Sequence, residues 1–180
     1  GAQVDWDEMF KRMGTFKDVE REEMEHFEEH LATVEAAKKK ESTDVTMDEE
    51  PTNESVAELT NRDAEWRKAL RASMKPKERT AIERVKMPEL DPVYRATTRT
   101  EEVNIGLTKE MALTEAKRCL DCPKPSCMEG CPVNINIPSF VKNIERGQFL
   151  AAAKVLKNTS ALPAVCGRVC PQEKQCESRC

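Results

Sequence analysis

The chain has 180 residues, of which 38% are hydrophobic, 34% charged and only 4% aromatic, a supply too thin for one continuous core over this length, so part of it is expected to be linker. Before residue 119 there are 21 basic against 28 acidic residues (−7) and after it 8 against 5 (+3), giving −4 overall. No dense Lys/Arg stripe with interleaved aromatics occurs, which argues against a nucleic-acid binder.

In 3–14, Val4, Trp6, Met9, Phe10 and Met13 recur near helical spacing, with Asp5 or Asp7 as a cap and Gly14 as a stop, so a short amphipathic helix is expected. Residues 16–41 read as a long charged helix whose Val19, Phe27, Leu31 and Val34 are too sparse for a wide apolar face. Its His26-Phe27-Glu28-Glu29-His30 string matches a metalloprotease motif, but EREEMEHFEEHL has no pocket-forming context and reads better as a solvated face. The acidic, Ser/Thr-rich stretch ESTDVTMDEEPTNESVA, broken by Pro51, reads as linker, and 58–73 as a further exposed helix. The expected organisation is a helical or extended segment over 1–40, a linker with exposed helix over 41–79, and a compact domain over 80–180.

Asp91-Pro92-Val93 is a helix start, with Asp as cap and Pro in the first turn. Thr108 caps a helix expected over 109–118 that delivers Cys119 at its end. Pro138 opens a helix carrying Ile137, Phe140, Val141 and Ile144, which Gly147 stops. Gln148 to Lys157 repeats the pattern through Phe149, Ala152, Ala153 and Leu156. With no convincing strand, the expected fold class is all-α, with an antiparallel helical pair joining two groups of cysteines.

Those groups are Cys119-x2-Cys122-x4-Cys127-x3-Cys131-Pro132 and Cys166-x3-Cys170-Pro171-x4-Cys176-x3-Cys180. The start lacks a basic-then-apolar signal, and no run approaches the ~20 apolar residues of a membrane span. A cytoplasmic setting is therefore expected, where clustered thiols bind metal or do redox work rather than form bridges. Short gaps let one loop wrap three corners of a [4Fe–4S] cube while a remote Cys closes the fourth. In the related two-cluster run the Cys before Pro serves the other cluster, which would assign Cys131 across its own group, and Cys180 could return to the first. Ile135, Ile137, Val133, Leu162, Val165 and Val169 adjoin the thiols and would serve equally as a water-excluding shell or as ordinary core. The competing reading is a zinc-binding helical interaction module without redox role, against which stands the single Cys-x2-Cys knuckle. No Gly-x-Gly occurs among the six glycines, so no dinucleotide-binding turn lies within these residues.

From about Met87 to Cys180, the motifs EAKRCLDC, CMEGCPVNINIP and CGRVCPQEKQC follow in order. This stretch resembles the N-terminal α-helical ferredoxin domain shared by the glutamate synthase small chain, NADH-dependent ferredoxin:NADP oxidoreductase and dihydropyrimidine dehydrogenase. The resemblance implies two [4Fe–4S] clusters, one on Cys119, Cys122, Cys127 and Cys180, the other on Cys131, Cys170 and Cys176. The second cluster's fourth ligand would be a Gln or Glu beyond Cys180, leaving Cys166 a non-ligand thiol; the alternative is that Cys166 substitutes for it. It further implies FAD and NAD(P)H in downstream domains of a longer polypeptide, and a glutamate synthase large chain or ferredoxin as electron partner. No catalytic residue is expected here, and these residues alone would be an inactive fragment of an NAD(P)H-dependent oxidoreductase. GAQVDWDEMFKRMGTF is similar to the tail of ferredoxin-reductase-type electron-transfer subunits, which would make 1–40 the end of a fused subunit.

Overall fold

Two helices of the C-terminal half begin on a side-chain cap, and a third follows a left-handed glycine. In the computed structural model, which describes residues 52–180, Thr108 accepts a hydrogen bond from Met111 N and opens a helix over Lys109–Ala116. Asn136 caps Ile137–Glu145 by accepting from Ser139 N, with Pro138 in the first turn. Gly147 takes a left-handed φ of +81, which reverses the chain into Phe149–Lys157. These elements match the expectations for 109–118, Pro138, Gly147 and 148–157.

In chain order the described helices are α1 (Val56–Thr60), α2 (Glu65–Ser73), α3 (Pro76–Thr80), α4 (Pro92–Thr97), α5 (Lys109–Ala116), α6 (Ser126–Glu129), α7 (Ile137–Glu145), α8 (Phe149–Lys157) and α9 (Pro163–Val169). Two 3₁₀ turns, Gln172–Lys174 and Glu177–Arg179, follow. No strand occurs among the described residues, as the all-α expectation requires. The helices expected over 3–14 and 16–41, and the His26/His30 string, lie outside the described residues.

The described residues fall into two compact units, 89–103 and a larger one formed by 52–88 with 104–180. In the smaller unit, Asp91 caps α4 by accepting from Val93 N and Tyr94 N, and Leu90 N donates to Val103 O at 2.8 Å. The larger unit is built on the antiparallel pair α7 and α8, against which α1 lies.

Residues 52–79 differ from the expectation of an exposed helix over 58–73. They form three short helices whose inward side chains are buried. Leu59 is fully buried with Ala151 and Val155, and Phe140 packs against them. A buried leucine of this kind contributes ~1.5–3 kcal/mol. Arg67 and Arg79 are 3% and 2% exposed, and Arg146 stacks 4.0 Å over the Trp66 ring. The charged composition misled because these arginines face buried carboxylates and carbonyls, so their charge marks the inner face rather than the solvated one.

Candidate metal centre

The first cysteine group sits on a loop that other parts of the larger unit hold by its carbonyl oxygens. The Arg79 guanidinium donates to Lys117 O at 2.7 Å, Lys142 Nζ to Cys119 O at 2.8 Å, and Arg62 Nη2 to Asp121 O at 3.0 Å. Buried Lys142 and Arg79 share the Glu145 carboxylate, at 2.5 and 2.8 Å. Asp121 is itself buried, with Arg67 at 2.6 Å and Arg71 at 2.7 Å on its two carboxylate oxygens. Burial alone would raise the Asp121 pKa. The hydrogen bonds and charges of Arg67 and Arg71 outweigh it and hold the carboxyl below its ordinary value. The loop therefore carries an ionised aspartate at neutral pH.

Cys180 reaches this loop because the chain end is pinned to α6. Ser126 Oγ donates to Arg179 O at 2.5 Å. Gly130 lies so close to the same turn that a Cβ there would sit 2.7 Å from Gln175 O. The consequence appears at Cys127, whose thiol is pushed up to about 11 first by burial and then by the neighbouring charges of Cys180, Cys119 and Cys122. Cys119 is raised by burial, against a hydrogen bond from the Asp121 backbone and the charge of Lys142, with Cys180 adding to the rise. Cys127 thus lies within electrostatic reach of Cys119 and Cys122 and, from a distant stretch of chain, of Cys180.

A second association joins Cys176 and Cys170. Burial raises the Cys176 thiol and the Cys170 charge adds to it, while the Cys170 thiol donates to Gln175 Oε1 at 3.2 Å. Cys131 and Cys166 have local partners: Ile135 N donates to Cys131 Sγ at 3.5 Å, and Cys166 Sγ lies 3.9 Å from Ser160 Oγ. The apolar shell foreseen around the thiols is open at several points. Val133, Leu162, Val165 and Val169 are 43–72% exposed, and α9 contains no buried residue.

The donor set fits an iron–sulfur cluster in its chemistry. The Cys127 and Cys119 thiols resist ionisation where they sit, and a cationic centre would compensate the charge of their thiolates. Among the described residues no three His, Cys, Asp or Glu side chains converge to hold a single metal ion. A four-iron cube sets its thiolates at outer corners, further apart than the ~3.8 Å edge of a sulfur tetrahedron drawn at ~2.3 Å about one zinc. The residues that organise the loop, Arg62, Arg67, Arg71, Arg79 and Lys142, carried no recognisable signal in the sequence, because arginines four apart on a charged helix look like a solvated face.

A helical unit that gathers cysteines from two distant turns defines an iron–sulfur class of domain. Residues 95–180 match the family model described as dihydropyrimidine dehydrogenase domain II, 4Fe-4S cluster. Among curated proteins, the chain is 38% identical over 93 residues to the glutamate synthase [NADPH] small chain of Halomonas elongata, covering 52% of this chain and 20% of that one. It is 40% identical over 79 residues to the corresponding Escherichia coli chain, covering 44% and 17%. It is also 39% identical over 80 residues to the PreT subunit of NAD-dependent dihydropyrimidine dehydrogenase from Escherichia coli, covering 44% and 19%. The chain thus spans a fifth or less of the length of these relatives. No helix among the described residues is long and apolar enough to cross a membrane.

Proposed function

We propose that the 80–180 domain is an electron-transfer module holding two [4Fe–4S] clusters. The first would be held by Cys119, Cys122, Cys127 and Cys180, the second by Cys131, Cys170, Cys176 and a Gln or Glu outside these residues. Cys166, whose partner is Ser160, is the thiol left out. What supports this most directly is that Ser126 and Gly130 bring the turn of Cys180 against α6, which carries Cys127, where burial and then the charges of Cys180, Cys119 and Cys122 raise the Cys127 thiol. The family resemblance implies the same four thiols as one ligand set.

When bound, such clusters supply one-electron redox chemistry. The chain's own contribution is to hold the thiols in place: Lys142 and Arg79 fix the carbonyls before the first loop, and Ser126 and Gly130 pin the turn that carries Cys180. FAD and NAD(P)H are proposed to bind in domains outside these 180 residues, since the six glycines form no Gly-x-Gly turn. The module would pass electrons singly between that flavin and a glutamate synthase large chain or ferredoxin. Residues 1–40 are proposed as the tail of a fused electron-transfer subunit.

Anaerobic reconstitution of the chain with iron and sulfide tests the reading. A brown protein with about eight irons and as many sulfides is the expected product. Stoichiometric zinc in a colourless, fully folded protein would instead establish the interaction-module alternative.

A further inference from the structure

Asp121 stands between two of the proposed ligands, and its backbone φ is +54, a left-handed conformation uncommon for any residue with a side chain. Aspartate usually tolerates it by bonding its own local backbone. Here both carboxylate oxygens are engaged instead by Arg67 and Arg71, at 2.6 and 2.7 Å, from α2. Arg62 takes the Asp121 carbonyl at 3.0 Å, and Arg71 donates to Arg62 O at 2.8 Å, tying the arginines to one another. Arg67 is further fixed by Thr60 O at 3.1 Å and Ser139 Oγ at 2.8 Å, so its guanidinium is committed on every side. All three arginines precede the 95–180 stretch that matches the family model.

We propose that Asp121, clasped by Arg67 and Arg71, is a positioning residue for the first cluster, fixing the left-handed turn between Cys119 and Cys122. The proposal rests on the assignment of Cys119 as a ligand. Cys119 and Cys122 flank this turn, so a change in its backbone moves both proposed ligands and alters the hydrogen bonding and solvent exposure of their sulfurs, which are among the factors that set a cluster's potential. The clasp thus makes residues 62–71 part of the redox site, although they contribute no ligand.

The test uses the full chain, reconstituted with iron and sulfide, as wild type, Asp121→Asn, Asp121→Gly, Arg71→Gln and Arg71→Lys. Helicity, iron content and EPR-monitored reduction potentials are the readouts. The first three variants should shift the potential of one cluster, or lose its iron, and leave the other unchanged; Arg71→Lys should lie closer to wild type. Unchanged potentials and spectra in fully loaded Asp121→Asn and Arg71→Gln would overturn the clasp. Wild-type behaviour of Asp121→Gly would do the same, because glycine keeps the left-handed turn without the carboxylate. Should Asp121→Asn lose helicity, Arg71→Gln decides, since the Arg71 side chain is partly exposed. A wild-type chain that takes up no iron would defeat the ligand assignment instead. In that case hydrogen exchange of the metal-free chain still tests the clasp, which predicts faster exchange at 119–122 in the variants and fails if protection is unaltered.

Discussion

Replacing Gly130 with alanine sets two effects of opposite sign against each other. Gly130 adopts φ −78 and ψ −8, a conformation open to any residue, so the lower entropy of the unfolded chain alone would make alanine stabilising by ~0.4–1 kcal/mol. The added Cβ, however, would lie 2.7 Å from Gln175 O and 3.0 Å from Arg179 Cγ. The first of these atoms is backbone and cannot rotate away, so the turn that carries Cys180 must move; overpacking of this kind costs about 1–3 kcal/mol. The clash wins on central values, about 2 against about 0.7 kcal/mol, leaving a net loss of about 1.3 kcal/mol within a span of about 0–2.6. The displacement is directed at the site, because the segment that moves is the one Ser126 pins through Arg179 O. Thermal unfolding of the metal-free chain and iron content after reconstitution read out both consequences. Gly167→Ala is the internal control: within α9 its Cβ would meet nothing within 4 Å, so it should gain ~0.5–1 kcal/mol and keep full iron. A Gly130→Ala protein as stable as wild type and equally loaded would refute the reasoning.

Leu59→Ala should cost about 2–5 kcal/mol in chemical denaturation, since Leu59 is fully buried against Ala151 and Val155; a loss below ~0.5 kcal/mol would mean that α1 is not part of the folded unit. Glu145→Gln strips the carboxylate shared by buried Arg79 and Lys142, and should destabilise by about 3–5 kcal/mol in the same measurement. The metal-free chain should lose stability as pH rises. Cys127 ionises at about 11 when folded and near 9.0 when unfolded, so the unfolded state sheds its proton first and the loss runs from about pH 9 towards 11. Denaturant midpoints across that window check this, and a flat profile in the wild type, or one that Cys127→Ala leaves unchanged, would count against it.

The parts of the fold that the sequence made legible are those with local causes. Thr108, Asn136 with Pro138, Asp91 with Pro92 and the left-handed Gly147 each act within a few residues, through caps and turn geometry that need no tertiary partner. The short α6 and the 3₁₀ turns near the cysteines escaped because one turn of helix has no periodicity to detect. Residues 52–79 were misjudged for a different reason: hydrophobic patterning treats Arg67 and Arg79 as outward-facing, whereas both are buried on the carboxylates of Asp121 and Glu145.

By itself the sequence determined the chemistry: eight thiols in two tight groups, no Gly-x-Gly turn, and helices fixed by their own caps. Only the tertiary structure decided which thiols meet. Cys180 is 49 residues beyond Cys131 in the numbering, yet it reaches Cys127 because Gly130 has no side chain to keep the chain-end turn away. Only the folded chain likewise turned the arginines of α2 from a surface into a clasp. Spacing records which ligands are available, but which of them share a site depends on contacts between segments far apart in the chain, and those are set by packing.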